Sequence, residues 1–382
     1  GIPTVPVLRA KHMTPDKVRA YRLADNRLAE LSGWDSELLT LELGYLDSID
    51  LGFSIETIGW EHTQIDLMLT PPEDGDKESL DPADQDIPAV PDNPTSRTGD
   101  LWLLGDHRLI VGSSLEASTF ERLMDGKKAA MVFQDAPYNV KIQGNVSGLG
   151  KVKHKEFAMA SGEMSTEEFT EFLTKNLRAL TPHLQSGTIV DLFMDWRGLL
   201  PLQQAMSASG IVFINLAVWV KTNASMGSFY RSKHELILIG KYGKAGHINN
   251  VQLGKHKRYR TNVWTHPGAS SFGAVRDELK NHPTPKPVAL IADAIRDVSN
   301  RGHIVVDSFM GGGATLIAAE RTGRIAYGVD IDPGYVDVCI LRWQKLTQKQ
   351  AILAATGQSF DEVQRERQNA DSSLDVDNES QP

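Results

Sequence analysis

The chain has 382 residues, a formal net charge of −9 and one cysteine, Cys339. A lone cysteine excludes an internal disulfide and a cysteine-rich zinc site, and it points to a reducing, cytoplasmic compartment. No apolar run reaches the length of a membrane span and no signal peptide is visible, so the length reads as one large domain plus an appendage. The first residue is Gly rather than Met, which reads as a trimmed chain or a fragment.

Residues 1–65 read as a small helical unit. Thr14-Pro15-Asp16-Lys17 opens a helix with a capping residue and an early proline. Tyr21, Leu23, Ala24, Leu28 and Leu31 give that helix an apolar face, and Trp34 with Leu38, Leu39, Leu41, Leu43 and Leu46 marks a second. Residues 66–99 read as an acidic, proline-rich linker. Its segment 71–99 carries eight acids, two bases and six prolines without apolar period, so an extended, solvated linker is expected. The main domain spans 100–350. It opens on a hairpin at residues 100–112, turned at Gly105-Asp106.

Ala129-Ala130-Met131-Val132-Phe133 reads as a buried strand. Pro137 cannot sit inside a central strand, so the strand ends within Gln134-Asp135-Ala136-Pro137-Tyr138-Asn139. A carboxylate, a rigid turn and an aromatic ring then project together at a strand's C-terminal edge, where ligands bind in open α/β sheets. The cluster suits a planar amine. Asp135 accepts one N–H, the Ala136 carbonyl accepts the other, and Tyr138 offers a stacking face worth about 1–3 kcal/mol per base. The same residues also fit an ordinary strand-end turn.

A Gly- and Lys-containing stretch, residues 141–155, reads as a loop over this edge. An amphipathic helix follows at 163–180, then a strand ending at Asp195-Trp196-Arg197, whose side chains fit either a site lining or a strand-end salt bridge. Another apolar strand spans 211–220, and residues 234–240 form a further one. Residues 221–262 hold nine Lys or Arg and one acid, so the basic charge gathers here although the chain as a whole is acidic. Lys221, Asn223, Arg231, Lys233, Lys255, Lys257, Arg258 and Arg260 are the candidate DNA contacts, within a DNA-contacting region 221–280. A basic patch is also a common solvated face. His234, His247, His256 and His266 lack cysteines or tightly spaced acids, so no metal site is expected.

His303-Ile304-Val305-Val306-Asp307 is another buried strand. It runs through Ser308-Phe309-Met310-Gly311-Gly312-Gly313 into a helical run from Ala314. Glycines let a backbone approach a ligand closely. The next strand ends at Asp330, placed for ribose hydroxyls as in a Rossmann βαβ unit. Lys286 precedes a helix N-terminus, a natural anion position. Cys339 lies in an apolar helical run and is expected in the core. Residues 351–382 are polar and acidic and are expected to be disordered.

Asp135-Ala136-Pro137-Tyr138 resembles the Asp-Pro-Pro-Tyr catalytic motif of DNA amino-methyltransferases, and Phe309-Met310-Gly311-Gly312-Gly313 resembles their Phe-x-Gly-x-Gly motif. The catalytic motif comes first, the order of the β group of that family. His282-Pro283-Thr284-Pro285-Lys286-Pro287 is similar to the element preceding the cofactor strand there. The resemblance covers about residues 100–345. Residues 20–30, with Trp34-Asp35, resemble the C-terminal part of ParB-like domains, whose first half is absent. The resemblance implies an α/β fold: a Rossmann-like S-adenosylmethionine-dependent methyltransferase sheet with flanking helices, plus the helical N-terminal unit.

It further implies transfer of a methyl group from S-adenosylmethionine to the exocyclic amine of a flipped-out base in double-stranded DNA. Adenine N6 is favoured, because Asp-led motifs go mostly with adenine. Asp135, Ala136, Pro137 and Tyr138 are then catalytic, and Thr284, Lys286, Asp307, Phe309, Gly311, Gly313 and Asp330 hold the cofactor. Relatives often carry Gly-Asp-Ser where Gly112-Ser113-Ser114 stands here, and proline where Ala136 stands. Dimers occur in the family, so a homodimer is compatible. No nuclease motif is visible. The alternatives are an N4-cytosine methyltransferase, an enzyme acting on RNA or a glutamine amide, a nicotinamide dehydrogenase, or a DNA-binding protein with a decayed methyltransferase domain.

Overall fold

Alternating apolar strands and amphipathic helices after residue 100 build one mixed sheet with helices on both faces. The computed structural model describes residues 14, 17–18, 36–49, 55–69, 84, 87–140, 162–222, 224, 230–253, 260–267 and 286–379. It divides into two units, residues 1–71 and 72–382.

In the first unit, helix α1 (Ser36–Ser48) leads through a 3-10 turn (Ile55–Ile58) to α2 (His62–Leu69). Among its described residues, Leu43 and Ile65 are the buried apolar side chains. Of the earlier expected helix, only the start is described. There the Lys17 N–H donates to the Thr14 hydroxyl at 3.4 Å, as a capping residue should accept.

The second unit carries β1 (Leu101–Leu104), β2 (His107–Val111), α3 (Ala117–Met124), β3 (Ala129–Gln134), α4 (Thr166–Leu180) and β4 (Leu184–Met194). Next come α5 (Leu199–Ala208), β5 (Ile211–Val220), β6 (His234–Tyr242), β7 (Val263–Thr265), α6 (Val288–Val298) and β8 (Ile304–Asp307). It ends with α7 (Ala314–Arg321), β9 (Ile325–Asp330), α8 (Pro333–Thr347), β10 (Ile352–Leu353) and α9 (Phe360–Glu379). The sheet order is β10-β1-β2-β9-β8-β3-β4-β6-β5-β7. Neighbours from β2 to β4 run parallel, whereas β6 lies antiparallel to both β4 and β5.

Each residue of β3 is buried, because helices cover both faces of the sheet there. One core layer joins the sheet to α6, α7 and α8 through Leu290, Ile291, Leu316, Ile317 and Trp343. The other joins it to α3, α4 and α5 through Phe120, Phe169, Leu173, Leu177 and Met206. The α4 helix starts at a reciprocal capping box between Ser165 and Glu168. From β8 the chain passes through α7 to β9 on one side, and from β3 through α4 to β4 on the other. The order reverses between β3 and β8, so the crevice outside their C-terminal ends is the switch point of the sheet.

Two segments are more ordered than their composition suggests. The Asp84 carboxylate, buried, accepts the Val288 N–H at 3.0 Å and caps α6. The N–H groups of Thr95 and Ser96 donate to Asp337 at 2.5 and 3.0 Å. These residues therefore wrap the second unit instead of floating as solvated linker. The tail expectation is also corrected. Leu353 pairs β10 with β1, Phe360 lies 5.4 Å from Trp102, and Arg367 pairs with Asp100 at 2.5 Å. Leu353 in β10, Phe360 and Val363 in the first turn of α9, and one partly buried ion pair order a segment that is polar on average.

Candidate active site

The strand β3 ends at the switch point, so Asp135 and Tyr138 project into it. Lys286, just before α6, reaches the same place and donates to Asp135 Oδ2 at 2.6 Å. The Tyr138 hydroxyl lies 2.9 Å from Asp135 Oδ1 and 2.8 Å from Glu235 Oε2. Glu235, near the start of β6, also pairs with Lys286 at 3.1 Å and with Lys221 at the end of β5. The Lys286 ammonium stands 5.3 Å from the centre of the Tyr138 ring, a cation–π contact on one face. Two carboxylates, two ammonium groups and one phenol thus form a closed, largely desolvated network.

Its electrostatics are uneven. Burial, with the nearby Glu235 charge, pushes the Asp135 carboxyl above its ordinary value, although Lys286 opposes the shift. Burial acts the same way on Glu235, but Lys286 and Lys221 outweigh it and pull that carboxyl down to about 2. Burial disfavours the Lys286 cation, yet Asp135 and Glu235 together raise its pKa, so it stays charged. Burial and both carboxylates hold the Tyr138 phenol well above its usual value. Asn139, at φ 54°, closes the turn. Its side-chain oxygen accepts from the Gly162 and Met164 N–H groups at 3.0 and 3.2 Å.

The glycine turn after β8 forms the other wall. Asp307 accepts the Thr315 hydroxyl at 2.6 Å and the Phe309 N–H at 3.0 Å, pinning strand, turn and helix α7 together. Gly311, at φ 52°, donates its N–H to Asp330 at 2.7 Å. The α8 helix holds the carbonyls of the turn, with Cys339 donating to Gly311 and Arg342 to Gly312. Burial raises Asp330 to about 6 and Asp307 to about 7. The buried Ser308 hydroxyl has no hydrogen-bond partner among the described residues.

The expected residues converge only in part. Asp135, Ala136, Tyr138, Lys286, Asp307, Gly311, Gly313 and Asp330 meet at the switch point. Lys286 sits on the carboxylates of the catalytic edge rather than at the glycine turn. The Phe309 ring lies 6.1 Å from Phe172 of α4. Ser113 accepts the Leu115 N–H at 3.2 Å. Asp195 and Arg197 form a 2.6 Å strand-end ion pair, with the guanidinium over the exposed Trp196 ring. Arg260, read as a DNA contact, instead bridges Asp293 and Asp297 at 3.2 and 2.9 Å and lies over Trp264. Its charge is neutralised by α6. Lys221 is likewise committed to Glu235, while Arg231 and Lys233 are exposed at the same sheet edge. Asn223, Lys255, Lys257, Arg258 and Thr284 lie outside the described residues. Sequence reasoning missed Glu235. Its one signal was an acid at the mouth of an apolar strand, facing the basic end of the strand before it.

Residues 129–341 match a protein-family model described as DNA methylase, covering N6 and N4 methyltransferases. Residues 37–98 match one described as the ParB-methyltransferase HTH domain. The chain is 26% identical over 234 residues to the type II methyltransferase M2.DpnII of Streptococcus pneumoniae, covering 59% of this chain and 86% of that protein. It is 25% identical over 248 residues to M.HpaI of Haemophilus parainfluenzae, covering 61% and 73%. Among solved structures, the M1.HpyAVI–SAM complex aligns at a TM-score of 0.46 and 20% identity, covering 61% of this chain and 97% of that one.

Proposed function

We propose, from the premise that the chain belongs to the N6/N4 family of DNA methylases, that it methylates the N6 amine of adenine in double-stranded DNA. The observation that carries this reading is the Asp135 carboxylate beside the Tyr138 ring, at the switch point that also holds the glycine turn. An aspartate at the head of the catalytic motif favours adenine over cytosine. The base is hidden in the duplex and must leave the stack, at a cost of a few kcal/mol.

The cofactor is S-adenosylmethionine, which supplies an already activated methyl group. The residues present fit it. The buried Ser308 hydroxyl beside the glycine turn has no partner among the described residues, and Asp330 has acceptor capacity left for ribose hydroxyls. Asp307 keeps the turn in shape. On the substrate side, Asp135 accepts one amine hydrogen and the Ala136 carbonyl the other. That orients the nitrogen lone pair, and the Tyr138 ring stacks on the base. Positioning and exclusion of water then supply the rate, without a covalent nucleophile.

The test is incubation with methyl-labelled S-adenosylmethionine and unmethylated DNA, beside Asp135→Ala. Label should enter DNA, appear as N6-methyladenine after digestion to nucleosides, and fall by at least about a hundredfold in the variant. Label in N4-methylcytosine would reassign the base. Absence of label despite cofactor binding would point to the decayed-domain alternative.

A further inference from the structure

The Tyr138 hydroxyl carries one proton but stands within hydrogen-bond distance of two carboxylates, Asp135 at 2.9 Å and Glu235 at 2.8 Å. It can donate to only one of them at a time. Lys286 is divided in the same way, 2.6 Å from Asp135 and 3.1 Å from Glu235. Asp135 must also receive a substrate amine hydrogen. If the phenol and the ammonium both bound it fully, its acceptor sites would be crowded and its basicity spent.

We propose that Glu235 is a positioning residue for methyl transfer: by drawing the Tyr138 hydroxyl and part of the Lys286 charge onto itself, it leaves Asp135 Oδ1 open to the amine of the substrate. This rests on the methyltransferase reading of the same site. Glu235 suits the task because Lys221 neutralises it from the far side. It therefore stays ionised and keeps its hold on the phenol throughout the reaction. It is not a store for the departing proton, since a carboxyl held at about 2 is a weak base. Asp135, raised by burial and by the Glu235 charge, is the better acceptor.

The pH dependence follows from the groups that face Asp135. These are Tyr138 from its own turn, Glu235 from β6, Lys286 before α6 and Asp307 from β8, with Lys221, just after β5, behind Glu235. Transfer needs ionised Asp135, so the rate rises with pH through its pKa. In Glu235→Gln the repelling charge is gone and Lys286 pairs with Asp135 alone. Both changes lower the Asp135 pKa, so the acid limb moves to lower pH. At the same time kcat falls at least tenfold, because the uncharged amide oxygen competes poorly for the phenol and the ammonium, and both shift onto Asp135.

The experiment compares wild type, Glu235→Gln and Glu235→Asp by label transfer to DNA across pH. Binding of S-adenosylmethionine by calorimetry and a thermal melt are run on each. The expected result is lower kcat with an acid limb shifted down in Gln, a partial effect of the same sign in Asp, and unchanged cofactor affinity in both. If the Gln variant does not fold, the Asp variant carries the test, because its shorter stem loosens the same two contacts. Wild-type kcat with an unmoved limb in a folded variant overturns the role of Glu235 and leaves the methyltransferase reading intact. An inactive wild type overturns that reading and this inference with it.

Discussion

Lys286 shows how one side chain can serve stability and chemistry with opposite pH signatures. It is buried between Asp135 and Glu235, and both carboxylates hold it charged. Lys286→Met leaves two carboxylates facing each other, and their mutual repulsion raises both pKa values. Breaking such a buried pair costs about 3–5 kcal/mol. In the variant the folded Asp135 carboxyl, already raised by burial and by Glu235, loses its opposing cation and titrates above its unfolded value, while Lys221 still holds Glu235 down. The stability Asp135 allows is thus present at low pH and lost as pH rises through its folded value. Urea melts should show the deficit against wild type shrinking from pH 8 to pH 5. The acid limb of activity should move to higher pH, opposite in sign to Glu235→Gln. An equal deficit at both pH values would mean that Lys286 contributes packing alone.

At the scale of elements, the glycine turn works because helix α8 is pressed against it. A Cβ on Gly313 would lie 2.9 Å from the Cys339 sulfur and 3.3 Å from its Cα, and Gly313 sits at φ 80°. Gly313→Ala therefore meets both backbone strain, about 1–3 kcal/mol, and a clash that only movement of α8 relieves. Calorimetry should show S-adenosylmethionine affinity falling at least tenfold, along with a lower melting temperature. Gly126→Ala is the control, since Gly126 shares a positive φ of 76° but faces open space. It should lose stability only and keep cofactor affinity. If both variants bind the cofactor equally, the α8 contact does not shape the site. The turn was legible because a buried strand, three glycines and a second strand ending in an acid are local features. The same holds for β3, buried on both faces, and for α4, with its capping box and apolar stripe. The network around Asp135 was only half legible. Asp135 and Tyr138 are three residues apart, whereas Lys286 and Glu235 arrive from distant elements whose order in the sheet no local pattern states. The C-terminal helix was hidden for a related reason. Phe360 and Arg367 find partners only after β1 is in place.

Over the whole molecule, charge placement reconciles a net charge of −9 with a DNA substrate. Acid is concentrated in residues 71–99 and 357–382, and base in residues 221–262. The sheet then sorts that basic run. Because β6 runs antiparallel to β4, with Leu236 opposite Met194 and Lys241 opposite Ile189, its start lies at the catalytic edge and its end at the far one. Exposed Arg231 and Lys233 thus stand beside the site, whereas Lys244 is carried to the opposite edge. Arg260 is already spent on Asp293 and Asp297. Phosphate contacts release counterions, so each one adds about 0.9 to the slope of log affinity against log salt. Arg231→Ala with Lys233→Ala should therefore weaken duplex binding across sequences and flatten that slope by about 1–2, read by fluorescence anisotropy between about 50 and 200 mM salt. Lys244→Ala should leave both unchanged. Equal losses from either edge would mean that DNA feels only the summed charge of the basic run. A loss confined to Arg231 and Lys233 would fix the duplex against the C-terminal edge of the sheet, over Asp135.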